Sequence, residues 1–136
     1  MPMTLARLVA VIDKIAPFRL AYEWDNVGLL VGDPGQSVER VLIALETNGS
    51  VIARARETGC QALLVHHPLI FKPARAIRAD DVSGRLVMEL IRSGLGLIAA
   101  HTNLDRVLRG TNGALASLLG LRDLQILEPA ASDQLF

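Results

Sequence analysis

The stretch Gln61-Ala-Leu-Leu-Val-His-His-Pro-Leu-Ile-Phe71 sets the frame for the whole chain. Ala62 to Val65 is a short apolar run with no polar alternation, the pattern of a strand covered on both faces. It runs straight into two histidines and a proline. The same pattern stands on either side of it. Val41 to Leu45 is an apolar run ending in Glu46, and Leu95 to Ala100 is one ending in His101. Between these runs lie segments with helical spacing. One spans about residues 50–58, with Ser50 as its expected cap and Gly59 beyond its end. The other spans 82–93, with Leu86, Val87, Leu90 and Ile91 on one face and Gly94 after it.

Further out, residues 4–16 carry Leu5, Leu8, Val9, Ile12 and Ile15 at helical intervals, with Thr4 to cap the start and Pro17 to end it. A loop with Tyr22 and Trp24 follows. Then come a short strand at Val27 to Val31 and a turn at Gly32-Asp33-Pro34-Gly35. Residues 72–80 read as a loop. A third helix is expected from Thr111 to Leu119, with Leu115, Leu118 and Leu119 inward. A last strand is expected at Leu124 to Leu127, and Glu128 to Phe136 reads as an unfinished end. Alternating strands and helices predict an α/β fold, a mostly parallel sheet with helices on both faces, with residues 1–136 as one domain. Right-handed crossovers place the three buried strands side by side.

Composition narrows the function classes. Lysines and arginines number 14, aspartates and glutamates 14, so the formal net charge is zero. The arginines are scattered, which argues against a nucleic-acid partner. A single cysteine, Cys60, excludes an intrachain disulfide and reads as a small buried residue. Arg7, Asp13, Lys14 and Arg19 interrupt the amino-terminal apolar residues, and nothing has the length of a membrane span. The expected location is cytoplasmic. The hydrophobic fraction of 51% and mean hydropathy of +0.36 are high, consistent with a filled core or with apolar surface covered by a partner.

All three histidines of the chain follow directly on buried strands, and Asp105 lies four residues after His101. Ligands of open parallel sheets bind beyond the carboxyl ends of the strands, so His66, His67, His101, Asp105 and Glu46 map to one rim. Imidazole nitrogen and carboxylate oxygen are common donors to divalent zinc, manganese, iron and cobalt. Two adjacent histidines aimed to different sides suit two ions better than one. A bridging carboxylate at Asp105 would complete a pair spaced by roughly 3.5–4 Å, able to activate water and hold developing negative charge. Against this stands the plain reading of a hydrogen-bonded loop pair. Trp24-Asp25-Asn26 reads as an Asx-type turn with a core tryptophan in preference to a site. Thr47-Asn48-Gly49 reads as a turn. Ser83 and Ser93 have no histidine near them in sequence to support a triad.

His-His-Pro-Leu-Ile-Phe (66–71) and His-Thr-Asn-Leu-Asp (101–105) resemble the signature segments of the NIF-three-like family. Glu23-Trp24-Asp25-Asn26-Val27-Gly28-Leu29 and Gly110-Thr111-Asn112 are similar to two further segments of that family, in the same order. The resemblance runs nearly from end to end. It implies a centre of two divalent metal ions between two α/β lobes, this chain being the amino-terminal lobe. It places His66, His67 and Asp105 on metal ligands and His101 close to the metals; the expectation that His101 is catalytic, as a proton shuttle, rests on that position and on imidazole chemistry. It also implies homo-oligomers from dimers to hexamers. The activity implied is that of a metal-dependent hydrolase, like GTP cyclohydrolase type 2, acting on a nucleotide-like small molecule. The alternative is a non-catalytic oligomeric metal-binding or assembly module. The family's remaining ligands lie in a later His-x-x-x-Glu segment, and no histidine follows His101 here. Glu46 stands where many relatives carry aspartate. The expectation is therefore a chain that holds part of the site and is inactive alone.

Overall fold

The computed structural model describes residues 3–128. Its elements in chain order are strand β1 (Met3–Thr4), helix α1 (Leu5–Ile15), a 3-10 turn (Phe18–Leu20), strands β2 (Gly28–Val31), β3 (Ser37–Val38) and β4 (Val41–Ala44), helix α2 (Gly49–Glu57), strand β5 (Ala62–Val65), helix α3 (Val82–Arg92), strand β6 (Gly96–Ala99), and helices α4 (Thr102–Asp105) and α5 (Thr111–Leu118).

The main sheet has the order β2-β6-β5-β4. β4, β5 and β6 are parallel, in the register Ala44↔Val65↔Ala99, and β2 pairs antiparallel with β6. The fold class and the adjacency of β4, β5 and β6 are as the sequence predicts. But β4, expected to be covered on both faces, is an edge strand with no buried residue and with Ile43 exposed, because among the described residues no further strand or helix closes over that side of the sheet. The antiparallel edge strand and the small antiparallel pair β1–β3 are additions made by long-range pairing.

Alternate residues of each strand serve opposite faces, because successive side chains point to opposite sides of a sheet. Leu63, Val65, Leu97 and Ala99 pack with Ile52 and Ala55 of α2 and Val87 and Leu90 of α3. Ala62, Ile98 and Ala100 pack with Leu5 and Ile12 of α1. Helices thus cover both faces. Full burial of a leucine contributes about 1.5–3 kcal/mol, and Leu5, Leu63, Leu90 and Leu97 are all essentially inaccessible.

Four further expectations need correction. Helix α2 begins one residue earlier than predicted: Asn48 caps it, accepting from the Val51 amide at 3.0 Å, while the Ser50 hydroxyl donates to the Asn48 side chain. Both residue types can cap, but only Asn48 occupies the extended turn position that begins the helix. No strand forms at 124–127. Leu115, Leu118 and Leu119 face outward, and Ala116 is the buried residue of α5. The cause is close packing. A Cβ on Gly113 would fall 1.6 Å from the Leu108 carbonyl oxygen, so the inward side of α5 is its small-residue side. Trp24, expected in the core, is 58% exposed. The remaining expected tail, from 129 onward, lies outside the described residues.

Candidate metal centre

The register of the parallel strands brings the histidines together. Pairing continues past the strand ends. The His66 amide donates to the Ala44 carbonyl, the His67 amide to Leu45, and the Ala100 amide to Val65. The chain segments leaving β5 and β6 therefore emerge side by side at the carboxyl rim. The rings of His66, His67 and His101 lie 5.1 to 5.7 Å apart between centroids. One nitrogen of each lies within 4.8 Å of one from the others. Asp105 Oδ1 stands 3.6 Å from His66 Nε2. Among the described residues this histidine trio is the group able to hold a metal ion, with Asp105 at its side. Glu46, exposed after β4, is not part of it.

The hydrogen bonds behind the rings decide which nitrogens face the centre. His66 Nδ1 lies 2.9 Å from the Ala100 carbonyl oxygen. A carbonyl only accepts, so Nδ1 carries a proton, and in the neutral ring the lone pair lies on Nε2. His101 Nδ1 meets Asp25 Oδ1 at 3.0 Å, which sets the same tautomer. A carboxylate or carbonyl behind each imidazole is the usual support of a metal-ligating histidine.

Asp25 is built for this supporting task. Its side chain is fully buried. Oδ1 accepts from the Asn26 amide and His101, and Oδ2 accepts from the Thr102 amide and hydroxyl. These bonds occupy the acceptor positions of the carboxylate, leaving it no role as a direct ligand. Burial pushes the Asp25 carboxyl up, but the bonds from Thr102, His101 and Asn26 together outweigh it and hold its pKa below the ordinary carboxylate value.

Other residues lock the frame. Asn103, fully buried, donates to the Ala16 carbonyl at 2.7 Å and accepts from the His101 amide at 2.8 Å, tying the His101–Asp105 segment to the end of α1. The Asn26 amide group donates to the Ile70 carbonyl, tying the loop after His67 to the loop bearing Asp25. Asp105 accepts from the Thr111 hydroxyl, and its carbonyl accepts from Asn112 at 2.9 Å.

The structure thus groups His66, His67, His101 and Asp105, all singled out in the sequence. Sequence reasoning missed Asp25, Thr102, Asn26 and Asn103 as supports. The only signal for Asp25 was its place in the Glu23–Leu29 segment, since nothing in the spacing links it to a histidine 76 positions away. Asp25→Asn is expected to weaken metal binding by roughly 10–100-fold, the usual effect of losing an outer-shell partner. Competition against a chelator would measure it, and an unchanged affinity would remove Asp25 from the centre.

Comparison with known proteins places the chain in a family. The family model described as Duf34/NIF3 (NGG1p interacting factor 3) matches residues 3–134. A Halalkalibacterium halodurans protein named GTP cyclohydrolase 1 type 2 homolog is 39% identical over 129 residues, covering 95% of this chain and 35% of that protein. A Clostridium perfringens protein of the same name is 37% identical, covering 96% of this chain and 50% of that one. The crystal structure of a Bacillus cereus protein related to NIF3 superposes with a TM-score of 0.89 at 34% identity, over 95% of this chain and 35% of that one. The chain spans about a third to a half of the length of these relatives. With its fold and nearly its whole length matched, the chain belongs to the Duf34/NIF3 family.

Proposed function

We propose that this chain supplies ligands to a dinuclear centre of a metal-dependent hydrolase acting on a nucleotide-like heterocycle. The observation that carries the reading is the convergence of His66, His67 and His101 nitrogens within 4.8 Å, two of the three rings braced through Nδ1. That donor set fits zinc, manganese, iron or cobalt. Two such ions would supply Lewis-acid polarisation of an electrophilic carbon and lower the pKa of water. The chain's own part is to hold His66 Nε2, His67 and the Asp105 carboxylate toward the ions and to keep His101 oriented through Asp25. The relatives' name, GTP cyclohydrolase 1 type 2 homolog, points to the same substrate class. Since the chain spans a third to a half of those relatives, further ligands are expected from outside these residues.

Two roles are proposed for His101, and they exclude each other. As a ligand its Nε2 lone pair is committed; as a proton shuttle it is not. His101→Gln separates them. Lowered metal content by elemental analysis supports the ligand role, and full metal content with lost turnover supports the shuttle. For the function itself, metal-loaded protein that also carries those further ligands is expected to turn over GTP, with turnover lost on chelation and restored by metal. Stoichiometric metal without turnover in that protein would overturn the hydrolase reading.

A second reading rests on exposed apolar residues. Leu118 is 86% and Ile43 74% exposed, which favours an oligomeric metal-binding or assembly module. Rings between dimer and hexamer by light scattering, without turnover, would support it. No helix among the described residues is long and apolar enough to cross a membrane.

A further inference from the structure

The chain has one tryptophan, and it is spent on the surface. Trp24 stacks on Tyr22 with ring centroids 5.1 Å apart and planes 10° from parallel. Phe71, 40% exposed, meets Trp24 edge-on at 5.9 Å and meets His101 at 6.2 Å. An aromatic run thus leads from solvent to the histidine cluster. None of these three side chains belongs to either apolar core. Exposing this much aromatic area adds nothing to folding, because the favourable term comes from removing such area from water.

The platform is nonetheless held in a fixed relation to the histidines. Asp25, next in sequence to Trp24, holds His101. The Tyr22 amide donates to the Thr102 hydroxyl at 3.2 Å. Asn26 ties the Trp24 loop to the Phe71 loop through the Ile70 carbonyl. Movement of the loop backbone that carries the rings relative to the cluster would break these bonds. Rigid placement of an exposed ring beside a chemical centre is what substrate positioning requires.

We infer that Trp24, flanked by Tyr22 and Phe71, is the seat of a planar heteroaromatic ring belonging to a ligand whose remaining atoms reach His66, His67 and His101. The inference rests on the proposed function for the cluster but concerns a separate surface. A flat conjugated ring extends the near-parallel Tyr22–Trp24 stack, and every base offers a π face to such a platform. Beyond Tyr22 the stack is closed by the Arg106 guanidinium, 4.5 Å from the ring centroid, so the open end of the stack is the exposed Trp24.

The test uses the 136-residue chain loaded with manganese and titrated with guanosine, an uncharged planar purine that cannot bind through phosphate. Because Trp24 is the sole tryptophan, its emission reports this surface alone. Saturable quenching by guanosine and none by ribose is the expected result. By equilibrium dialysis, Trp24→Leu should weaken guanosine binding about tenfold, with Trp24→Phe retaining most of it. Metal content should be unchanged in both variants. Metal-loaded protein with no quenching, equal quenching by ribose, or unchanged affinity in Trp24→Leu would overturn the inference while leaving the metal reading intact. A change of oligomer size in Trp24→Leu with unaltered guanosine affinity would also overturn it and make this surface a subunit contact. Quenching in protein that binds no metal would uphold the ring seat and defeat the metal reading instead.

Discussion

Replacing His66 and His67 together by alanine is expected to reduce bound metal to background while leaving the domain folded. The two residues are two of the three imidazoles that converge within 4.8 Å, and His66 Nε2 is also the nitrogen that faces Asp105. The remaining His101 and Asp105 cannot close a four-coordinate site by themselves. The stability cost is small by comparison. His66 loses its bond to the Ala100 carbonyl, worth about 0.5–1.5 kcal/mol net, and His67 is exposed. Elemental analysis and a thermal melt in chelator would read the two effects separately. Metal retained at wild-type stoichiometry would remove both residues from the centre. Metal lost together with the fold would show that the experiment had measured unfolding, and single replacements at exposed His67 would then decide the point.

Gly110→Ala is expected to be among the most damaging small changes near the site. A Cβ there would fall 1.7 Å from the Leu104 carbonyl oxygen and 2.9 Å from its carbon. The obstacle is backbone, so no rotamer change relieves it, and α4 and α5 must separate. Overpacking of this kind costs about 3 kcal/mol. The separation would also pull Thr111 and Asn112 away from Asp105, so metal affinity should fall with stability. Gly49→Ala is the control. Nothing lies within 4 Å of a Cβ at that position, and a change within about 0.5 kcal/mol is expected. Urea unfolding of both variants provides the measurement. Equal midpoints for Gly110→Ala and wild type would show that the α4–α5 contact yields easily.

Both expectations draw on residues of different legibility. His66, His67, His101 and Asp105 stood out because each follows a buried strand, and parallel strands deliver their carboxyl ends to a single rim. Gly110 was visible only as part of a resemblance, since the need for glycine arises from a carbonyl six residues earlier in the folded chain. Trp24 was misread. Tryptophan is usually well buried, and sequence pattern alone offers no reason for an exposed one. The outward leucines of α5 were misread for a related reason. Apolar spacing marks a face, but the close approach at Gly113 decides which face turns inward.

The chain order of residues suffices for local matters: where apolar runs make strands, where helical spacing makes α1 to α3, and that histidines stand at successive strand ends. Short-range sterics and side-chain periodicity govern these, and they act between neighbours in the chain. Tertiary structure alone decided the antiparallel edge strand β2, the tautomers of His66 and His101, and the assignment of Asp25 as the buried anchor of a ring 76 residues away. Those depend on which acceptor lies behind each nitrogen. Such pairings are settled by packing across the sheet, where distance along the chain carries no information.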